Sequence, residues 1–298
     1  MTKKNVRIIL NPSAGSKNPP LRLLNNLFHQ ANMEWDLVIT KDRCDGICLA
    51  KKAISDGVDI VAAYGGDGTV MEVASGLHDS GIPMAILPGG TGNILSIELG
   101  IPQNLQEACE LIIQPEKARI RSIDLGITND EKVPAFALRA GVGLEAAMLE
   151  GTDRDLKERF GIFAYIMGAT QALHNVKEAN YHLILDGEAV ECSGLTCLIA
   201  NAGYFGVPGL VLNPKVKIDD GLLDVFVIRK MDLIELFSLA ATLVGGNERN
   251  DQALHWQAQS ISIESDPIQS TQADGEMWGE SPVEITAKKD ALQVIVPV

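Results

Sequence analysis

The segment Ala62-Ala63-Tyr64-Gly65-Gly66-Asp67-Gly68-Thr69-Val70-Met71-Glu72 constrains this chain more than any other. The apolar run 58–63 that leads into it reads as a short buried strand, and the run 70–77 that follows opens a helix. A strand that passes through glycines into a helix start makes an anion site. The helix end offers unpaired N–H groups and the positive end of its dipole. Glycines let the backbone turn sharply and come close to a phosphate. Asp67 stands inside that turn, where a plain phosphate cradle would avoid negative charge; a carboxylate there suits a magnesium ion or a reacting hydroxyl. Gly-Asp-Gly also marks β-hairpins. That alternative weakens because the pattern repeats. The apolar run 82–87 is followed by Pro88-Gly89-Gly90-Thr91-Gly92-Asn93 and another helix start. Two such loops on neighbouring parallel strands open on the same edge of a sheet.

The chain around these loops keeps the same rhythm. Strands are expected over 6–10 and 35–40, and helices over 21–32, 45–56 and 105–114. Leu23, Leu24, Leu27 and Phe28 fall on one helical face. Pro20 suits a first helical turn and Gly57 a helix end. Strands alternating with helices predict a doubly wound parallel sheet, whose ligands gather at the carboxyl ends of the strands. Asn11-Pro12-Ser13-Ala14-Gly15, Thr40, the 65–69 turn and the 88–93 loop all fall at that edge. None of these loops has the Gly-Lys-Ser/Thr ending of a Walker A motif. From about residue 125 the texture changes. Strands are expected over 133–139, 181–185, 189–200, 222–229, 254–263, 283–287 and 292–296, with apolar helices over 160–172 and 233–243. Many strands with few helices predict a β-sandwich.

Gly-Gly-Asp-Gly-Thr and Pro-Gly-Gly-Thr-Gly-Asn, with the Asn-Pro-Ser-Ala-Gly opening, resemble the diacylglycerol kinase catalytic domain. That domain is shared by bacterial lipid kinases, sphingosine kinases and ceramide kinases, and the resemblance runs over essentially the whole chain. Gly-Gly-Asp-Gly alone is less specific, since NAD kinases and phosphofructokinases carry a similar loop. The resemblance implies an α/β plus β fold. Residues 1–124 would form a doubly wound α/β nucleotide-binding domain, NAD kinase/phosphofructokinase-like. Residues 125–298 would form a β-sandwich-like lipid-substrate domain, with the active site in the cleft between them.

The resemblance also implies roles. It carries ATP contact to Asn11, Pro12, Ser13, Ala14 and Gly15, to Thr40, to Gly66, Asp67, Gly68, Thr69, Val70, Met71 and Glu72, and to Thr91. It implies a structural magnesium held by Asp220 and the carbonyls of Lys217 and Leu222, with Asp124 close by. It makes Glu276 of Asp274-Gly275-Glu276 the general base, with Asp274 and Asp67 beside it in the catalytic set. Read without it, Asp219-Asp220-Gly221 and Asp274-Gly275 are equally good turns. One departure stands out. Many members carry Asp after the Asn of the third loop, whereas Ile94 follows Asn93 here, which removes one carboxylate from the acidic network.

A formal net charge of −14 argues against a nucleic-acid partner and gives no whole-surface attraction to anionic lipid. Contact with a membrane would then be peripheral, through local features. The stretches 160–167 and 204–210 could line a lipid cleft, though ordinary core and loop is the favoured reading. The five scattered cysteines read as reduced thiols of a cytoplasmic protein. The N-terminus lacks a signal-peptide core, and no apolar run reaches membrane-span length. The expected activity is transfer of the γ-phosphate of ATP, with magnesium, to a lipid hydroxyl, foremost diacylglycerol to give phosphatidic acid. Two alternatives stay open: a kinase of a soluble acceptor, as NAD kinases are, and a nucleotide-binding regulator without catalysis. A homodimer is compatible with either.

Overall fold

The computed structural model describes residues 4–13, 20–42, 44–130, 133–143, 178–207, 210–229 and 253–298. Ala14 and Gly15, the expected helices 160–172 and 233–243 and the stretch 160–167 lie outside them. The chain forms two compact units, Met1–Ile123 with Asp290–Val298, and Asp124–Lys289. The expected division put every residue past 124 in the second domain; the last nine residues instead return to the first unit.

The first unit runs β1 (Asn5–Leu10), α1 (Leu21–Gln30), β2 (Glu34–Ile39), α2 (Asp45–Ser55), β3 (Ile60–Gly65), α3 (Asp67–Leu77), β4 (Met84–Pro88), α4 (Ile94–Glu98) and α5 (Leu105–Ile113). The strands pair in parallel in the order β2-β1-β3-β4. Strands β1, β3 and β4 are near-continuous apolar runs because both faces of a parallel sheet are covered. Val6, Ile8, Val61, Ala62, Met84 and Ile86 are all but sealed from solvent. Leu24 and Phe28, one turn apart, bury the inner face of α1, and the Phe28 ring lies 5.7 Å from Trp35. Helices α2 and α3 approach through small residues. A Cβ on Gly76 would stand 2.6 Å from Ala50 Cβ and 2.7 Å from the Ile47 carbonyl oxygen. The start of α5 is capped by Asn104, whose side chain accepts from the N–H groups of Gln106 and Glu107.

The rest of the described chain is built from strands. In chain order they are β5 (Ala118–Thr128), β6 (Ala135–Phe136), β7 (Arg139–Gly143), β8 (Ala179–Leu185), β9 (Glu188–Gly194), β10 (Thr196–Ala200), β11 (Tyr204–Val207) and β12 (Leu210–Val211). There follow β13 (Leu223–Ile228), β14 (Ala253–Ala258), β15 (Ser260–Asp266), β16 (Ser270–Ala273), β17 (Glu276–Glu280) and β18 (Val283–Pro297). Strand β5 enters the second unit at Asp124 and β18 leaves it after Lys289. One antiparallel sheet has the order β14-β13-β10-β7-β16-β17. In the other, β18, β15, β8 and β9 follow one another. Strand β8 alternates strictly between buried and exposed residues. Its Tyr181, Leu183 and Leu185 join Ile261, Ile263 and Ile285 in one apolar core with Val142, Ile199, Val225 and Val227 of the six-stranded sheet.

Four strand boundaries differ from expectation. The run 254–263 is two strands, β14 and β15, parted at Gln259, whose N–H and that of Ser260 donate to the Asp186 carboxylate. The run 189–200 breaks at Leu195, whose N–H leaves the strand line to donate to the Ile228 carbonyl. The expected strand 133–139 is interrupted between β6 and β7, where the N–H groups of residues 137–139 all donate to Asp274. Conversely, 283–287 and 292–296 are one strand. The intervening Lys288, Lys289 and Asp290 suggest a turn, yet a backbone can stay extended with charged side chains in water. Strand β18 passes from the second unit to the first between Lys289 and Asp290, and its Val294 pairs beside Met84 of β4.

Candidate functional site

In the first unit, the carboxyl ends of β1, β3 and β4 carry the loops singled out in the sequence. The β3 loop leads directly into α3, as a phosphate-binding junction requires and a hairpin would not. Gly66 sits at the N-cap position of this eleven-residue helix and, having no side chain, supplies no cap to its first N–H groups. A Cβ placed on Gly68 would meet no atom within 4 Å, so the mouth there is open. The two glycine loops lie against each other. A Cβ on Gly90 would stand 2.5 Å from Gly66 Cα, which is backbone and cannot yield. A Cβ on Gly92 would stand 2.6 Å from Asp67 Oδ2.

Asp67 is held by the loop that follows β4. Its Oδ1 accepts from the Ile94 N–H at 2.6 Å. Burial raises its pKa above the usual carboxylate range, while the N–H groups of Ile94, Asn93 and Leu95 pull the other way. Position 94, where a carboxylate was missed in the sequence, therefore contributes its backbone N–H. Asn93 holds the loop in shape: its Oδ1 accepts from Gly90 N–H, and its Nδ2 donates to the Gly90 carbonyl and to Gln103. Its φ of +47° puts it in the left-handed region, which Asn tolerates.

Asn11 ties the first loop to the second. Its Nδ2 donates to Thr69 Oγ1 at 3.0 Å and its Oδ1 accepts from Ser13 N–H at 2.9 Å. Pro12, Ser13 and Thr91 are exposed. Thr40 is buried, with its hydroxyl 3.5 Å from the Leu10 carbonyl. The stretch from Gly66 to Glu72 divides. Gly66, Asp67 and Gly68 lie at the helix mouth, but Val70 and Met71 are buried on the inner side of α3. The Glu72 carboxylate caps another helix, accepting from the N–H groups of Cys44 and Gly46 at the start of α2. Nucleotide contact by the Val70, Met71 and Glu72 side chains is therefore not what these positions are arranged for. Helical periodicity turns them inward.

In the second unit, three carboxylates surround the turn 219–222. Asp124 is completely buried and its Oδ2 accepts from Gly221 N–H, while its own N–H donates to the Ile218 carbonyl. Asp224 is 1% exposed and pairs through Oδ1 with His255 Nε2 at 2.6 Å. The His255 ring stacks on Phe226 with centroids 4.4 Å apart. Asp220 accepts from Leu222 N–H at 3.1 Å. Burial raises its pKa, and the like charges of Asp224 and Asp124 raise it further. Carboxylates gathered at a turn suit a cation. Among the described residues no group of three or more His, Cys, Asp or Glu is arranged to hold a metal. One carboxylate with backbone carbonyls, the set expected at Asp220, Lys217 and Leu222, is a different kind of site.

Asp274-Gly275 forms the turn of the β16–β17 hairpin, with φ of +45° and +86°. The turn alternative weighed for this motif thus describes its backbone. The Asp274 side chain does something a plain turn does not. Its Oδ2 accepts from Ala137 N–H at 2.7 Å and its Oδ1 from Arg139 N–H at 2.8 Å, with Leu138 N–H shared between them. Burial pushes its carboxyl up to about 6 against the pull of these amides. With both oxygens engaged, Asp274 positions backbone. Glu276 opens β17 with an exposed side chain.

Sequence reasoning passed over Asn201, which is completely buried and links β5 to the segment between β6 and β7. Its Nδ2 donates to the carbonyls of Asp124 and Ala137 at 2.9 and 2.8 Å. The signal was an Asn closing the apolar run 196–200, where a strand end would ordinarily face water. The ribbon β11–β12 covers most of the stretch 204–210. No helix among the described residues is long and apolar enough to cross a membrane.

The family model of the diacylglycerol kinase catalytic domain matches residues 5–126, and that of the YegS C-terminal NAD kinase beta sandwich-like domain matches residues 139–296. An uncharacterized protein of Synechocystis sp. is 31% identical, over 99% of this chain and 71% of its own length. A “Putative lipid kinase” of Staphylococcus aureus (strain JH9) is 30% identical, over 83% of this chain and 80% of its own. A crystal structure of “a putative diacylglycerol kinase” from Bacillus anthracis str. Sterne superposes with a TM-score of 0.83 at 28% identity, covering 99% of this chain and 98% of that one.

Proposed function

The chain belongs to the diacylglycerol kinase catalytic domain family, and from that premise we propose that it transfers the γ-phosphate of ATP to the hydroxyl of diacylglycerol. The observation that carries the ATP half is the junction of β3 with α3. A helix start with glycine at its N-cap stands behind two mutually packed glycine loops, with a carboxylate held at its mouth. Such a junction binds polyphosphate through backbone N–H groups. Pro12, Ser13 and Thr91, exposed on the adjoining loops, face the same ligand in this reading.

The acceptor half rests on the second unit. A magnesium ion would be held at the 219–222 turn by the Asp220 carboxylate and the Lys217 and Leu222 carbonyls. Its chemistry there is to neutralise carboxylates and fix the turn. Asp124 and Asp274 orient backbone, and Glu276 is the base. The acceptor oxygen forms its bond to the γ-phosphorus as the bridging oxygen to the β-phosphate departs with ADP. The hydroxyl proton passes to the Glu276 carboxylate. Phosphoryl transfer needs little more from the protein than in-line placement, charge neutralisation and one positioned carboxylate. Diacylglycerol in a bilayer is reached by peripheral contact.

The test is transfer of labelled γ-phosphate from Mg-ATP to a panel of diacylglycerol, monoacylglycerol, phosphatidylglycerol, sphingosine and ceramide in detergent micelles, with NAD as the soluble control. Label on diacylglycerol is expected. Label on NAD alone would move the protein to a soluble acceptor. ATP binding with no label anywhere would favour the non-catalytic regulator.

A further inference from the structure

Asn201 joins the backbone at Asp124 to the backbone at Ala137 and Leu138. On one side its Nδ2 holds the Asp124 carbonyl, and Asp124 grips the cation turn through Gly221 N–H and the Ile218 carbonyl. On the other side the same Nδ2 holds the Ala137 carbonyl at 2.8 Å. The backbone N–H groups of Asn201 and Ala202 both donate to the Leu138 carbonyl. Residues 137–139 are thus gripped twice: the Ala137 and Leu138 carbonyls by Asn201 and Ala202, and all three N–H groups by the Asp274 side chain. Two residues beyond Asp274 stands Glu276.

The orientation of the Asn201 amide is fixed by this geometry. Reversed, it would set an oxygen against two carbonyl oxygens. The same orientation leaves Asn201 Oδ1 buried without a hydrogen-bond partner among the described residues. A buried acceptor without a donor is costly and rare in a native protein. It stands on a residue that contacts Asp124, beside a turn that concentrates three carboxylates. Both facts point to a donor that arrives with a ligand, such as the water of a hydrated cation.

We propose that Asn201 is a positioning residue that couples cation binding at the 219–222 turn to the hairpin carrying Asp274 and Glu276. Filling the turn fixes Asp124. Through Asn201 this fixes residues 137–139, and so the base of the hairpin. The inference rests on the kinase reading for the meaning of Glu276, but the coupling itself can be measured without catalysis.

The experiment is amide hydrogen exchange of Ala137, Leu138 and Arg139 in the wild-type protein, without nucleotide, as Mg²⁺ is titrated. Their exchange is expected to slow about tenfold or more on Mg²⁺ addition. The slowing should vanish in Asp220→Asn. In Asn201→Leu, which keeps the shape but removes both polar atoms, the Mg²⁺ protection at residues 137–139 should be lost while Mg²⁺ still raises Tm. That variant should also lower kcat with an unchanged KM for ATP. Exchange at 137–139 that ignores Mg²⁺ in the wild-type protein overturns the coupling, whether or not any variant folds. Mg²⁺ protection that persists in Asn201→Leu overturns the role of Asn201. Protection without phosphate transfer to any acceptor leaves the coupling standing and removes the kinase reading. Transfer without protection does the reverse.

Discussion

Asp274 shows what a single carboxylate does when its surroundings claim it. Both oxygens accept backbone N–H groups of residues 137–139, so Asp274→Asn would turn a donor toward amides that need an acceptor. A loss of about 1–3 kcal/mol in unfolding free energy is expected at neutral pH, read by denaturant titration. Its folded pKa of about 6 lies above the ordinary carboxyl value. The native state therefore holds a proton that the unfolded state has released. Its contribution to stability is fully present below about pH 4 and is lost as pH rises through about 6. The Tm difference between wild type and Asp274→Asn should change across that window. A constant difference would mean the group does not titrate there. Glu276 is expected to behave differently, since its side chain is exposed and its proposed role is at the reaction. Glu276→Gln should lower kcat by about a hundred- to ten-thousand-fold while leaving Tm near wild type. A variant with near-normal turnover would remove Glu276 as base.

At the scale of elements, the junction of β3, α3 and the loop after β4 depends on glycine where backbone meets backbone. Gly90→Ala places a methyl 2.5 Å from Gly66 Cα, so one loop must move. The KM for ATP should rise by about tenfold or more, equivalent to about 1.4 kcal/mol of lost binding. An unchanged KM would mean that this loop contact does not shape the nucleotide site. The strand–loop–helix order of the first unit was legible because each β3-type run is apolar and each loop is punctuated by Gly, Pro or Asn. What stayed hidden was the direction of side chains inside α3. Glu72 reads as part of the motif, yet one turn along the helix its carboxylate caps α2. The second unit was legible as strands but not as boundaries. Asp186, Leu195 and Asp274 break or turn strands through hydrogen bonds to residues distant in sequence, and no local pattern announces such partners. Asn201 was missed for the same reason.

Across the whole molecule, the chain crosses between its two units twice, after Ile123 and after Lys289. The second crossing was not readable, since a strand that serves both units looks like two strands with a charged gap. With a net charge of −14, anionic lipid should not recruit the protein. Turnover on diacylglycerol-containing vesicles should stay flat or fall as phosphatidylserine replaces phosphatidylcholine at fixed diacylglycerol. A steep rise would reveal a basic docking surface that the composition does not suggest. In the proposed function, phosphate moves from ATP to a lipid hydroxyl and Glu276 takes the proton. The most direct measurement is the initial rate of label transfer from γ-labelled Mg-ATP to diacylglycerol in mixed micelles, wild type beside Glu276→Gln. Labelled phosphatidic acid formed by the wild-type protein and lost in the variant, with ATP binding equal in both, is the predicted result. No labelled phosphatidic acid from a wild-type protein that binds Mg-ATP would contradict it.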